Sequence, residues 1–150
     1  MAVRDRLKQR KFTSLSQEAL LSLLTVASAI FQDSERVCAG HGITHVQYNV
    51  LRILRGVHPG GHPRFEISSR MITRAPDVTR LIDRLVKMGL VERAWSEENR
   101  RLSIARITEK GLALLEAMEP EMLKLQQDTA GRLKKSELKE VIRILNRLSD

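Results

Sequence analysis

The hydrophobic period of this chain changes at Gly89, and that change constrains the fold more than any other feature. Upstream, apolar residues recur at three- and four-residue spacing, the mark of amphipathic helices. Downstream, residues 90–95 and 102–107 read as two strands joined by the polar run Ser96, Glu97, Glu98, Asn99 and Arg100. The second strand alternates only roughly (Leu102, Ile104, Ala105, Ile107), so one face is partly buried at best. From Thr108 the helical period returns. The chain is therefore expected to be mainly α with one small β-hairpin carrying a long polar tip. Aromatic residues make up only 3% of the 150, and a core of Leu, Ile, Val, Met and Ala favours helices over a β-sandwich.

Caps and stripes place the helices. Residues 1–12 are basic without apolar periodicity and read as a mobile arm. Ser14 or Ser16 can cap a helix running to about residue 39, with a wide stripe of Leu20, Leu23, Leu24, Ala27, Ile30 and Phe31. Gly40 and Gly42 end it. Thr44 can cap a second helix that turns Val50, Leu51 and Leu54 inward. Gly56, Pro59, Gly60, Gly61 and Pro63 form a loop. A short helix follows at about 66–72, and another begins near Pro76 with Val78, Leu81, Ile82 and Leu85 on its core face. Thr108 caps a further helix bearing Leu112, Leu115 and Met118, which Pro120 should kink or interrupt. A last helix starts after Ser136, with Leu138, Val141, Ile142, Leu145 and Leu148 at helical spacing.

The formal net charge of +8 points to an anionic partner, either nucleic acid or a membrane surface. The longest apolar run, around residues 19–30, is broken by Ser22, Thr25 and Ser28 and is shorter than the ~20 residues that span a bilayer. The basic N-terminal stretch lacks the apolar half of an amphipathic anchor and is not followed by a signal region. With one cysteine, Cys38, there is no internal disulfide. These features predict a cytoplasmic protein without a membrane partner.

Two short helices followed by a charged hairpin are the sequence form of a winged helix-turn-helix, whose second helix enters the DNA major groove while the wing reaches a minor groove. The helix from Pro76 offers Asp77, Thr79, Arg80, Asp83 and Arg84 on its polar face. Arg80 is the candidate base reader, since a guanidinium can pair bidentately with guanine. Thr79 can meet a phosphate or a thymine methyl, and Arg74 and Arg84 suit phosphate clamping. The plainer alternative for that face is a solvated helix surface. Arg100 and Arg101 at the hairpin tip favour the DNA reading, because a narrow minor groove attracts arginine.

The stretch APDVTRLIDRLVKMGLVERAWSEENRRLSIARITEKG at 75–111 resembles the MarR family of transcriptional regulators. The likeness extends back to GITHVQYNVLRIL at 42–54 and forward to the C-terminal helices. The resemblance implies one domain in two regions. Residues 1–40 and 109–150 would form the dimerisation helices, and 42–108 the winged lobe. It implies a homodimer straddling a pseudo-palindromic operator and acting as a repressor released by a small molecule. It also makes Arg101 the minor-groove arginine, with Asn99 where the family usually has an aspartate and Ser96 at another position where aspartate is common. The leucine-rich stripes at both ends support a dimer independently, exceeding what a lone lobe needs to cover itself.

The resemblance places a switch near Arg36, Cys38, His41, His45 and Tyr48, and three readings stand open. A small anionic or aromatic ligand could bind there, met by Arg36 or a histidine. Cys38 could sense oxidants if Arg36 or His41 lowered its pKa. Cys38, His41 and His45 could hold a metal, although no metal or cofactor is expected, and His58 and His62 read as surface residues. Against these stands a buried, inert cysteine beside loop histidines. No phosphate-cradling glycine motif, HExxH or nucleophile elbow is present, so no enzyme is expected. The remaining rival is a winged helix that docks protein or RNA, and basic rather than apolar exposure argues against protein docking.

Overall fold

The chain starts four of its helices on a side-chain oxygen. In a computed structural model, which describes residues 3–9 and 11–149, a short helix α1 (Val3–Leu7) precedes the long α2 (Leu15–Gly40). Then come α3 (His45–Arg55), α4 (Arg64–Arg70) and α5 (Val78–Lys87), a hairpin of β1 (Val91–Trp95) and β2 (Ser103–Ile107), α6 (Glu109–Ala130) and α7 (Lys135–Ser149). Ser14, Thr44, Asp77 and Thr108 each accept the backbone N–H three residues on, at the heads of α2, α3, α5 and α6. Such a cap is worth about 1 kcal/mol. Thr44 and Gln47 complete a reciprocal capping box.

The core lies where α3 meets α2, α4, α6 and β2. Val50, Leu51 and Leu54 of α3 are fully buried with Ile67 of α4, Leu85 of α5, and Met118 of α6. The hairpin is antiparallel, with Val91 opposite Ile107 and Trp95 opposite Ser103. His62 adds a bridge to Ala105, exchanging backbone hydrogen bonds of 3.0 and 2.9 Å. The approach demands glycine beside it, since a Cβ on Gly61 would sit 2.3 Å from the Ala105 carbonyl oxygen. At the far end of α5, Gly89 takes φ +73°, the left-handed turn that stops the helix. Lys110 donates to the Met88 carbonyl and Thr108 to that of Gly89, at 2.8 and 2.6 Å. The end of α5 is thus fastened to the start of α6.

Several expectations are corrected. Residues 1–12, read as a mobile arm, include helix α1, whose Arg4 grips Glu18 through two hydrogen bonds and lies over the Phe12 ring. Residues 1, 2 and 10 of that stretch lie outside the described residues. Helix α4 starts earlier than expected and α5 starts at Val78, because Asp77 takes the cap instead of joining the helix. Pro120 does not interrupt α6, which runs through it as one helix. The bond it removes would have come to the Glu116 carbonyl, and both residues are exposed, so water can replace it.

The two ends of the chain leave apolar surface uncovered. No residue of α7 is buried, although Val141, Ile142, Leu145 and Leu148 line one of its faces. Helix α2 likewise exposes Leu20, Leu23, Leu24 and Val26. By length and composition alone α2 could cross a membrane, which the broken run at 19–30 did not suggest.

Candidate functional site

Helix α5 turns Val78, Ile82 and Leu85 into the core, which leaves Thr79, Arg80, Asp83, Arg84 and Lys87 on the opposite side. Asp77 has two tasks. One carboxylate oxygen caps α5 on the Arg80 N–H at 2.9 Å, and the other lies 3.8 Å from the Arg80 guanidinium. The head of the helix and the direction of Arg80 are set together. Asp83 pairs with Arg93 of β1, tying the helix to the hairpin. Arg74, Arg84, Lys87, Arg100 and Arg101 make no ion pair among the described residues. All are exposed.

The hairpin tip is ordered by its own polar groups. Asn99 accepts the Arg101 N–H on its side-chain oxygen at 3.2 Å, and Ser96 accepts the Asn99 N–H at 3.3 Å. The Leu102 N–H bonds the Asn99 carbonyl and the Ser96 N–H bonds the Leu102 carbonyl, each at 2.9 Å. An asparagine oxygen serves here as a neutral acceptor, so the turn holding Arg101 does not require a carboxylate.

A second feature lies at the junction of α2, α3 and α6. A crevice of about 380 Å³ is walled by Ala27, Ile30, Phe31 and Ser34 of α2, His45, Tyr48, Asn49 and Arg52 of α3, and Met122 and Leu125 of α6. Phe31 meets the His45 ring edge-on at 4.7 Å, and Arg52 lies 5.9 Å from the centre of the Tyr48 ring. Burial lowers the pKa of His45, partly opposed by the Glu35 carboxylate, so its imidazole is neutral near pH 7. Arg52 forms no ion pair among the described residues and supplies the crevice's cation. Asn49 accepts the Ile72 N–H at 2.9 Å, joining this wall to the loop that leads into α5.

The MarR family's sequence pattern matches residues 43–103, the span from the head of α3 through the hairpin tip. The transcriptional regulator MhqR of Bacillus subtilis is 32% identical over 81 residues, which spans 54% of each chain. A crystal structure of a MarR transcription factor from Planctomyces limnophilus is 39% identical, with 91% of this chain and 98% of that one covered and a TM-score of 0.68. The chain belongs to the MarR family. It is a transcriptional regulator and not an enzyme. Sco3205, a MarR family regulator from Streptomyces coelicolor solved in complex with DNA, shares the fold at 20% identity, covering 92% of each chain with a TM-score of 0.79.

Within this MarR protein the five residues expected around the switch do not converge. His45 and Tyr48 share the crevice. Cys38 is fully buried in the core, and its thiol is pushed up to about 11 by that burial and by Glu35. A buried thiol held protonated is a poor nucleophile, which argues against the oxidant-sensing reading of Cys38. His41 lies on Glu121 at 2.7 Å. Arg36 pairs with Asp33 on a different side of α2, in a charged groove where Lys124 also pairs with Asp128. The metal reading fails as well: among the described residues no three His, Cys, Asp or Glu side chains are placed to hold an ion. Phe31, Asn49 and Arg52 were missed, though a signal existed. His45, Tyr48, Asn49 and Arg52 stand at i, i+3, i+4 and i+7, one face of a helix. Asp77 moves from a helix-face contact to a cap.

Proposed function

We propose that this MarR protein is a cytoplasmic homodimer that binds double-stranded DNA sequence-specifically and represses transcription until a small molecule releases it. The observation that carries the reading is the pairing of α5 with the hairpin. An exposed basic helix lies against the hairpin whose tip carries two arginines, with the Asp83–Arg93 pair joining helix to β1. Helix α5 enters the major groove, where Arg80 reads a base and Arg74 and Arg84 hold phosphates; Asn99 presents Arg100 and Arg101 to the adjacent minor groove. Sco3205, on the same fold, was solved in complex with DNA, which supports DNA as the partner. The two-region organisation, residues 1–40 and 109–150 for dimerisation and 42–108 for DNA, is supported by the uncovered faces of α2 and α7. A twofold dimer calls for half-sites about 10 bp apart, centre to centre. Covering that much of a promoter keeps polymerase off it.

The effector is a small planar aromatic acid seated in the α2–α3–α6 crevice, its ring between Phe31, His45 and Tyr48 and its carboxylate toward Arg52. The crevice spans the dimer helices and, through Asn49 and Ile72, the approach to α5. A ligand there can therefore favour one setting of α5 over another, which is what release from DNA requires.

Selection from random duplex DNA with the purified protein, followed by affinity measurements across salt, tests the central claim. A palindromic consensus and a steep salt slope are expected. Failure to enrich any sequence would overturn it.

A further inference from the structure

Between α5 and β2 the surface dips into a depression of about 240 Å³ whose walls include Arg64, Thr79, Arg93 and Ser103. Arg64 is the first residue of α4, fifteen positions before Thr79, and its guanidinium donates to the Thr79 hydroxyl at 2.9 Å. Arg93 is committed to Asp83, whereas Arg64 makes no ion pair among the described residues. A guanidinium has five N–H donors, and Thr79 uses one. Because the Thr79 oxygen accepts from Arg64, its own O–H remains to donate. Ser103, exposed on the facing strand, adds another hydroxyl. Ile82, Ile104 and Ala105 make the rest of the lining apolar, and the polar groups beside them offer spare donors around the one guanidinium without an ion pair. That is a seat for an anion.

Where the seat lies identifies the anion. A helix in the major groove and a wing in the neighbouring minor groove straddle one sugar–phosphate ridge, which must cross the surface between them. The depression lies between α5 and β2, the two elements that would flank such a ridge. We propose that it holds one backbone phosphate of the bound duplex, with Arg64 as principal donor and the Thr79 and Ser103 hydroxyls beside it. The proposal rests on the DNA-binding reading and deepens it. Thr79 then belongs to backbone positioning rather than to thymine recognition. Arg64 fixes how α5 sits in the groove without reading sequence, as phosphate contacts do.

The test uses the full chain with two probes, the duplex recovered by selection and a mixed-sequence duplex of equal length. Arg64→Ala should weaken both by a similar factor, about tenfold, and lower the salt slope by about 0.9 per half-site, or about 1.8 for a dimer. The selected consensus should not change. Arg64→Lys should keep the slope, because the charge stays, while binding more weakly through loss of the fork. Methylphosphonates placed one at a time in the selected duplex supply a second readout that needs no variant to fold. One position per half-site should weaken the wild type strongly, and the same position should cost Arg64→Ala almost nothing. An unchanged slope, a consensus altered at one base, or no phosphate whose neutralisation depends on Arg64 would overturn the seat. If the wild type itself shows neither consensus nor steep slope, the DNA reading fails first; a steep wild-type slope with Arg64→Ala indistinguishable defeats the seat alone.

Discussion

Replacing Ile142 by aspartate should split the dimer while leaving each protomer folded. Helix α7 buries none of its residues within the chain, and Ile142 is 58% exposed, so the protomer loses little by the change. Full burial of an isoleucine side chain is worth about 1.5–3 kcal/mol, so the uncovered part of Ile142 can contribute about 1–2 kcal/mol when a second copy covers it. A twofold interface counts the residue twice, giving about 2–3.5 kcal/mol. An aspartate there forfeits this and adds the cost of desolvating two carboxylates, several kcal/mol more if neither finds a partner. At 1.4 kcal/mol per factor of ten, the dimer dissociation constant should rise at least about thirtyfold, and well over a hundredfold where the carboxylates find no partner. Sedimentation velocity over a concentration series measures it, with circular dichroism to confirm that helix content is retained. Ile142→Leu should stay dimeric. A folded Ile142→Asp protein with an unchanged dissociation constant would show that the second copy docks elsewhere and would refute the reasoning.

Arg80→Ala should cost about 1–3 kcal/mol in operator affinity and relax preference at one base position, whereas Arg101→Ala should weaken binding with less change in major-groove preference; repeating the selection with each variant separates the two. Cys38 should resist a thiol-reactive disulfide in the native protein and react on unfolding, and peroxide should leave operator affinity unchanged; fast native labelling would contradict its burial. Burial lowers the pKa of His45, and burial followed by the charge of Arg70 lowers that of His62. For both, the unfolded chain binds the proton more readily, so the stability they lend is present above the ordinary value of 6.5 and lost as pH falls through the depressed folded values. Melting temperature at fixed protein concentration should therefore drop on acidification below that value, and His45→Gln with His62→Gln should flatten part of the drop. An unflattened profile would assign the acid sensitivity to other groups.

Features held by local chemistry could be read in advance. Thr44 and Thr108 cap helices because a hydroxyl three residues from a free N–H needs no tertiary help, and the hairpin follows from a change of period that no helix can sustain. Pro120 leaves α6 uninterrupted for an equally local reason. A proline removes one hydrogen bond, but whether that ends a helix depends on whether water can reach the orphaned carbonyl, and here Glu116 is an exposed residue. The switch region was read least well because sequence proximity stood in for direction. Cys38 and His45 are seven apart, yet one points into the core and the other into the crevice; Phe31, at a greater distance in sequence, is the one that meets His45. Arg64 could not have been found at all, because its link to Thr79 exists only once α4 is laid across α5.

The apolar surface of α2 shows why composition alone was ambiguous. A run of leucines with Val26, Ile30 and Phe31 can be a core helix, a membrane span or an interface, and its hydropathy is the same in each. The distribution of what interrupts it differs. A membrane span must be apolar around its whole circumference, because an unpaired polar group facing lipid costs several kcal/mol. Helix α2 instead places Ser34 and Cys38 against the domain and leaves Leu20, Leu23 and Leu24 outward, with Gln17, Glu18, Gln32, Asp33 and Arg36 spread along it. Leu20 and Cys38 are five turns apart on one stripe, so the two ends of a single apolar stripe meet two separate surfaces. The C-terminal end meets this chain's own α3 and α6. The equally bare face of α7 makes another copy of the chain the surface proposed for the second, and on that proposal the residues that invite a membrane reading are the ones that bring two winged lobes onto one operator.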